Sequence, residues 1–149
     1  MPRHREVRMN DYVPLVVSTV LGTLVGWERQ MGRKPAGLRT HTLVCLGSTL
    51  FVQLAPHAVQ AFGGANLDPT RIVHGVVTGV GFLGAGSILR TEGYVHGLTT
   101  AASVWMVAAI GVAVGVQAYG LAIAGTLLAI VVLEGYRWVE RFLSPGSEN

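Results

Sequence analysis

Charge is scarce in this chain. Asp, Glu, Lys and Arg make up 13% of its 149 residues, against roughly 25% in a soluble domain. Acids are the scarcer sign, eight against eleven basic residues. All eight lie in the tails, in loops or at the ends of apolar runs. Ion transport through carboxylate rings would want acids inside the runs, so a path for a hard cation here would have to use carbonyls, hydroxyls or waters. The single cysteine, Cys45, excludes an internal disulfide and reads as a small packed side chain. There is no G-x-S-x-G, no H-E-x-x-H and no P-loop, so no catalytic constellation emerges and the chain reads as a non-enzyme without a cofactor. No nucleic-acid recognition module is visible, and the basic residues cluster beside apolar runs, where they suit an anionic membrane leaflet.

What the sequence has instead is long uncharged runs. Sixteen residues separate Asp11 from Glu28, 28 run from Thr40 to Leu67, 18 from Ile72 to Leu89 and 41 from Gly93 to Leu133. A bilayer core of about 30 Å needs roughly 20 apolar residues per helix. The first three runs hold one helix each, and the fourth holds two with a break near Gly115–Gly120. The expectation is an all-α, polytopic membrane helix bundle of about five spans, roughly 12–27, 42–62, 72–89, 98–115 and 118–139, forming a single domain over 1–149. The first span follows a basic start but lacks an A-x-A cleavage site, so it reads as a retained span. The tail 144–149 reads as a frayed end.

Lysines and arginines near span ends set orientation. Arg3, Arg5, Arg8 and Arg71 fall on one side; Arg29, Arg33, Lys34, Arg39, Arg90, Arg137 and Arg141 fall on the other. The second side is expected to be cytoplasmic with the C-terminus, and the N-terminus periplasmic.

Gly79 to Gly84 reads G-x-G-x-x-G, yet no strand precedes it and Thr99 stands where a ribose-binding acid would be, so a dinucleotide loop is excluded. Close helix packing explains the glycines better, since small residues let membrane helices approach. Gly75/Gly79, Gly22/Gly26 and Gly111/Gly115 have the four-residue spacing. With Gly81, Gly84 and Gly86 added, the third span is expected to be thin and central. A sharper reading has it break near the glycines and line a polar cavity.

Asp68-Pro69 reads as a helix start, and Thr40 and Thr99 as N-caps of spans two and four. Gly37-Leu-Arg-Thr40 matches Gly97-Leu-Thr-Thr100 at an offset of 60, suggesting a parallel repeat of two helix pairs. Two helix N-termini would then face one surface, where helix dipoles favour anions. Arg29, Arg39 and Arg90 share that side with Glu28. Such a cluster either pairs internally or binds an ion, a lipid head group or a partner. His57 and His74 read as interfacial, Pro56 as a kink or end of span two, and Glu134 as pairing with Arg137.

Three stretches together resemble the MgtC/SapB family of bacterial membrane proteins: Gly26-Trp-Glu-Arg with Pro35-Ala-Gly-Leu-Arg-Thr-His-Thr-Leu43, then Thr78 to Arg90, then Gly97 to Trp105. The resemblance spans roughly 12–135. It implies a multi-pass protein of the bacterial inner membrane, linked to magnesium homeostasis and growth in low magnesium and, in pathogens, to virulence. It implies a modulator of other membrane proteins, ATP synthase among them, with lipids, protein partners and its own copies as contacts. The alternative is a small transporter or channel for Mg²⁺ or another ion, working as an oligomer. Many family members carry a C-terminal soluble domain of the ACT type, which this chain is too short to hold. The family's polar positions map to Glu28, Arg29, Arg39, Thr40, Asp68, Arg71, Arg90, Thr99 and Thr100.

Overall fold

A computed structural model of the chain describes residues 11–62, 68, 70–91 and 93–143. Arg3, Arg5, Arg8, Pro69, Glu92 and the tail 144–149 lie outside the described residues, as does the side chain of Arg141. Five helices appear: α1 (Val13–Met31), α2 (Leu38–Phe62), α3 (Thr70–Gly86), α4 (Leu98–Gly115) and α5 (Tyr119–Leu143). The protein is an all-α membrane helix bundle, with one short hairpin of β1 (Leu89–Thr91) and β2 (Tyr94–His96) between α3 and α4.

Among the described residues, three helical stretches are long and apolar enough to cross a membrane: Leu38–Ala61, Leu98–Gly115 and Tyr119–Trp138. The other two fall short for visible reasons. α1 keeps Glu28 and Arg29 inside its last turns, and α3 has 17 residues, a rise of about 26 Å. α1 runs four residues past its expected end. α2 begins four residues earlier than expected and passes through Pro56 to Phe62 without ending there. The expected third span stops early, because the chain turns at Ser87 and enters β1. That turn is closed locally, with the Ser87 hydroxyl and N–H both donating to Gly84 O, at 2.7 and 3.0 Å.

α4 is the central helix. Val104, Val107, Ala108, Ile110 and Val114 are all buried, and they point in several directions around the helix, as suits one that is apolar all round. This overturns the expectation of a central third span. α3 buries only Val76, Val80 and Gly84, one narrow stripe at four-residue spacing. Glycine makes a helix thin, but it brings no side chain to bury, so bareness alone does not draw α3 inward.

The glycines divide accordingly. A Cβ on Gly22 would sit 2.7 Å from Cys45 Cβ and one on Gly26 would sit 2.8 Å from Leu38 Cα. On Gly111 it would run into the carbonyl of Cys45, and on Gly115 it would lie 2.6 Å from Val52 Cβ. These four close the α1–α2 and α2–α4 contacts. By contrast a Cβ on Gly75, Gly79, Gly81 or Gly86 meets nothing within 4 Å, and on Gly84 it makes an ordinary contact with Ala101. The small-residue pair of α3 therefore borders an open groove of about 630 Å³ between α3 and Leu43, Val44, Ser48 and Phe51 of α2, with no atom in reach of an added Cβ.

α2 and α4 both begin at the leucine after a glycine, Leu38 after Gly37 and Leu98 after Gly97, which keeps the offset of 60 in the structure. Gly97 adopts φ +89, and a Cβ there would meet Ser87 O; only glycine suits both demands. Neither threonine caps. Thr40 lies inside α2, and the N-cap of α4 is Gly97 with no side-chain cap. At the other end, Asp68 Oδ1 accepts from the Thr70 N–H at 2.9 Å, starting α3. The Thr70 N–H and hydroxyl hold the Asp68 carboxyl below the usual carboxylate range.

Candidate functional site

The ends of α1 and α3, the starts of α2 and α4, and the later turns of α5 gather at one end of the bundle. Here α1 closes on Trp27-Glu28-Arg29. Gly22 and Gly26 press the helix against α2, which carries Glu28 and Arg29 inward instead of into solvent. Glu28 is 7% exposed and Arg29 2%. Burying two charges side by side is costly unless each finds a partner.

Glu28 finds Arg137 of α5. The Arg137 guanidinium donates through Nη1 to Glu28 Oε1 at 2.9 Å and lies 3.2 Å from Glu134 Oε2, the expected i,i+3 pair. Glu28 Oε2 lies 3.8 Å from Arg29 Nη1, too far for a hydrogen bond, and this buried oxygen has no hydrogen-bond partner among the described residues. Arg29 reaches α4 instead, donating through Nη2 to Thr100 Oγ1 at 3.3 Å, while its buried Nε has no partner.

A second layer lies behind. His41 of α2 is fully buried. Its Nδ1 lies 2.9 Å from Gly37 O and its Nε2 3.0 Å from Ser103 Oγ of α4. A carbonyl only accepts, so Nδ1 carries a hydrogen, and in the neutral ring Nε2 accepts from the Ser103 hydroxyl. That hydroxyl has a single hydrogen and also points at Thr100 O, 2.8 Å away, so the imidazole and the carbonyl share it. The chain Gly37–His41–Ser103–Thr100–Arg29–Glu28–Arg137 thus ties α2, α4, α1 and α5 together.

A cavity of about 730 Å³ opens in front of Arg29 and Thr100, between the β-hairpin, the 32–37 loop and α5. Arg29, Arg33, Lys34, His96 and Arg137 line it, and among the described residues no carboxylate does. The apolar part of its wall is made by Pro35, Val95 and Leu98 together with Val132, Leu133 and Tyr136 of α5.

Of the polar positions singled out by sequence, Glu28, Arg29 and Thr100 meet here, and Thr99 lines the cavity mouth. Arg39 and Thr40 are exposed on the first turn of α2, and Arg90 is exposed on β1. Asp68 and Arg71 stand at the opposite end of the bundle, beside the start of α3. His41 and the Arg137 link to Glu28 were not foreseen. Neither leaves a local signal, since Glu28 and Arg137 are 109 positions apart. Among the described residues, no three His, Cys, Asp or Glu side chains come together as a metal site. Glu28 does not fit a Mg²⁺ ligand either, because two guanidinium groups already face the carboxylate that a hard cation would need.

The sequence profile described as the MgtC family matches residues 15–142. The chain is 44% identical over 125 residues to a protein of Escherichia coli named "Putative magnesium transporter YhiD", covering 82% of this chain and 58% of that one. It is 39% identical over 139 residues to SrpB of Synechococcus elongatus, covering 85% and 75%. It is 41% identical over 113 residues to MgtC of Brucella abortus, covering 76% and 45%. The chain therefore spans only about half the length of several relatives it matches. No solved structure matches it.

Proposed function

The chain belongs to the MgtC family, and from that premise we propose that it is a non-enzymatic, magnesium-linked modulator of other proteins in the bacterial inner membrane. The observation that carries this reading is the outward face of α3. Gly75, Gly79, Phe82 and Gly86 repeat at helical spacing, and none of the three glycines would touch anything with a Cβ added. Phe82 is 81% exposed. In lipid, backbone kept bare in this way favours lateral contact with a second helix. The glycines of α1 and α4 are already closed against α2, whereas four of the five in α3 keep open space at the Cβ position.

In the orientation we propose, the C-terminus and the basic end with Arg29, Arg33, Lys34, Arg39, Arg90 and Arg137 face the cytoplasm, following the bias of basic residues. The second reading is a small oligomeric transporter of Mg²⁺ or another ion. The printed name of the Escherichia coli relative favours it, while the arginine-paired state of Glu28 speaks for a structural carboxylate.

Two measurements on the full chain separate the readings. A Gly75→Cys variant, treated with a thiol cross-linker in native membranes, should join to another membrane protein or a second copy, since Cys45 is buried and does not compete. Purified protein in liposomes should pass no more Mg²⁺ than empty liposomes. Mg²⁺ flux that Glu28→Gln abolishes would overturn the modulator reading.

A further inference from the structure

The basic cavity is built as a receptor for an anion. Arg29 sits at its back, 2% exposed, yet among the described residues it makes one hydrogen bond, a long one to Thr100 Oγ1, and leaves Nε unpaired. A guanidinium taken from water with its buried Nε unpaired lacks part of the hydrogen bonding that normally accompanies burial. Its nearest acid, Glu28, gives Oε1 to Arg137 and keeps Oε2 3.8 Å from Arg29 Nη1, an ion pair beyond hydrogen-bond reach. Arg33 and Lys34 stand at the rim, and neither has an acidic partner among the described residues.

A second donor set faces the same space. α4 is an 18-residue helix whose first turn, Leu98-Thr99-Thr100, lines the cavity. Its N-cap is Gly97, with no side chain to cap the free N–H groups, and its first turn holds no acid. Those N–H groups and the helix dipole favour negative charge. Planar guanidinium, free amides and two rim cations together match tetrahedral oxyanions, phosphate above all.

We propose that this cavity binds a phosphate group, with Arg29 as the buried anchor, the α4 N-terminus beside it, and Arg33 and Lys34 closing the rim. The group belongs either to an anionic phospholipid or to free phosphate. Val132, Leu133 and Tyr136 give one wall the apolar character that an acyl chain needs. The site is separate from the α3 face and stands or falls independently of how that face is used.

The test uses the full chain in detergent, with short-chain phosphatidic acid, diacylglycerol of the same chain length and inorganic phosphate as probes, each at matched ionic strength. Native mass spectrometry reads the lipids, and the shift in melting temperature reads phosphate. Phosphatidic acid should bind and diacylglycerol should not, with affinity falling at least tenfold in Arg33→Gln/Lys34→Gln, a rim variant that leaves the buried network untouched. Arg29→Gln, if folded, should lose binding altogether. Displacement of phosphatidic acid by millimolar phosphate assigns the site to the free anion as well; no displacement assigns it to the lipid. Equal binding of diacylglycerol, binding unchanged in the rim variant, or no binding of either phosphate probe overturns the proposal.

Discussion

Glycine does opposite things on two sides of this bundle. Along the seam of α1, α2 and α4, Gly22, Gly26, Gly111 and Gly115 leave no room for even a methyl group. On α3, Gly75, Gly79, Gly81 and Gly86 face open space. The four-residue spacing is the same in both places. The difference lies in the neighbours: α4 is apolar on every side and touches all four other helices, whereas α3 offers one stripe of two valines and a glycine. A small-xxx-small pair thus says that a close approach is feasible, not where in the assembly it happens. On the seam the approach is made within the chain; on α3 it is left for another molecule.

The strongest way to break the comparison is Gly111→Leu. Its Cβ would collide with the carbonyl of Cys45 and lie 2.8 Å from Ser48 Cβ. Backbone cannot rotate away as a long side chain can, so the cost should exceed the roughly 1–3 kcal/mol usual for overpacking. Loss of the folded chain in a detergent melting or protease-protection assay is the expected result. A variant that melts like the wild type would mean that α2 and α4 are not held at this distance.

The limits of the sequence follow the same line. The helices could be read because charge is excluded from long runs, and the break before Tyr119 because Gln117 sits in a glycine-bounded turn, where it adopts φ +62. The offset of Gly37 and Gly97 marked the approaches to α2 and α4, yet α2 starts four residues before the expected 42 and neither threonine caps. Which helix is central was not, because that depends on how apolar surface is spread around α4 and not on how bare α3 is. Glu28, Arg29 and Thr100 stood out as polar residues beside apolar runs. Their partners did not, since His41 and Arg137 meet the cluster only after α2 and α5 have packed against α1 and α4. The β-hairpin was hidden for a similar reason: its strands, Leu89–Thr91 and Tyr94–His96, are short and exposed and each lies close to a glycine, Gly93 or Gly97, which as sequence reads as any loop.

A milder change tests whether the seam relies on more than close backbones. Thr49 donates from its buried hydroxyl to Gly111 O at 2.7 Å, across the tightest point. Thr49→Val keeps the shape and removes the bond. Interhelical hydrogen bonds in membranes average about 0.6 kcal/mol, with a maximum near 1.7, so the variant should melt slightly below the wild type and remain folded. A loss as large as that of Gly111→Leu would make the hydroxyl, and not the missing Cβ, the reason that glycine sits at 111.

The smallest effect on folding is expected from the same substitution on the other face. Gly79→Leu puts a large side chain where an added Cβ meets nothing within 4 Å, and leucine is a better helix former than glycine by nearly 1 kcal/mol in water. The isolated chain should therefore melt at or slightly above the wild-type temperature. What should disappear is lateral association: cross-linking through Gly75→Cys, one turn away, should fall when Gly79→Leu is added. The pair Gly111→Leu and Gly79→Leu then separates glycines that the chain needs for itself from glycines it presents to others. If Gly79→Leu unfolds the chain, α3 is packed more closely than its open surface implies. If it folds and cross-links as before, the bare face of α3 serves no partner.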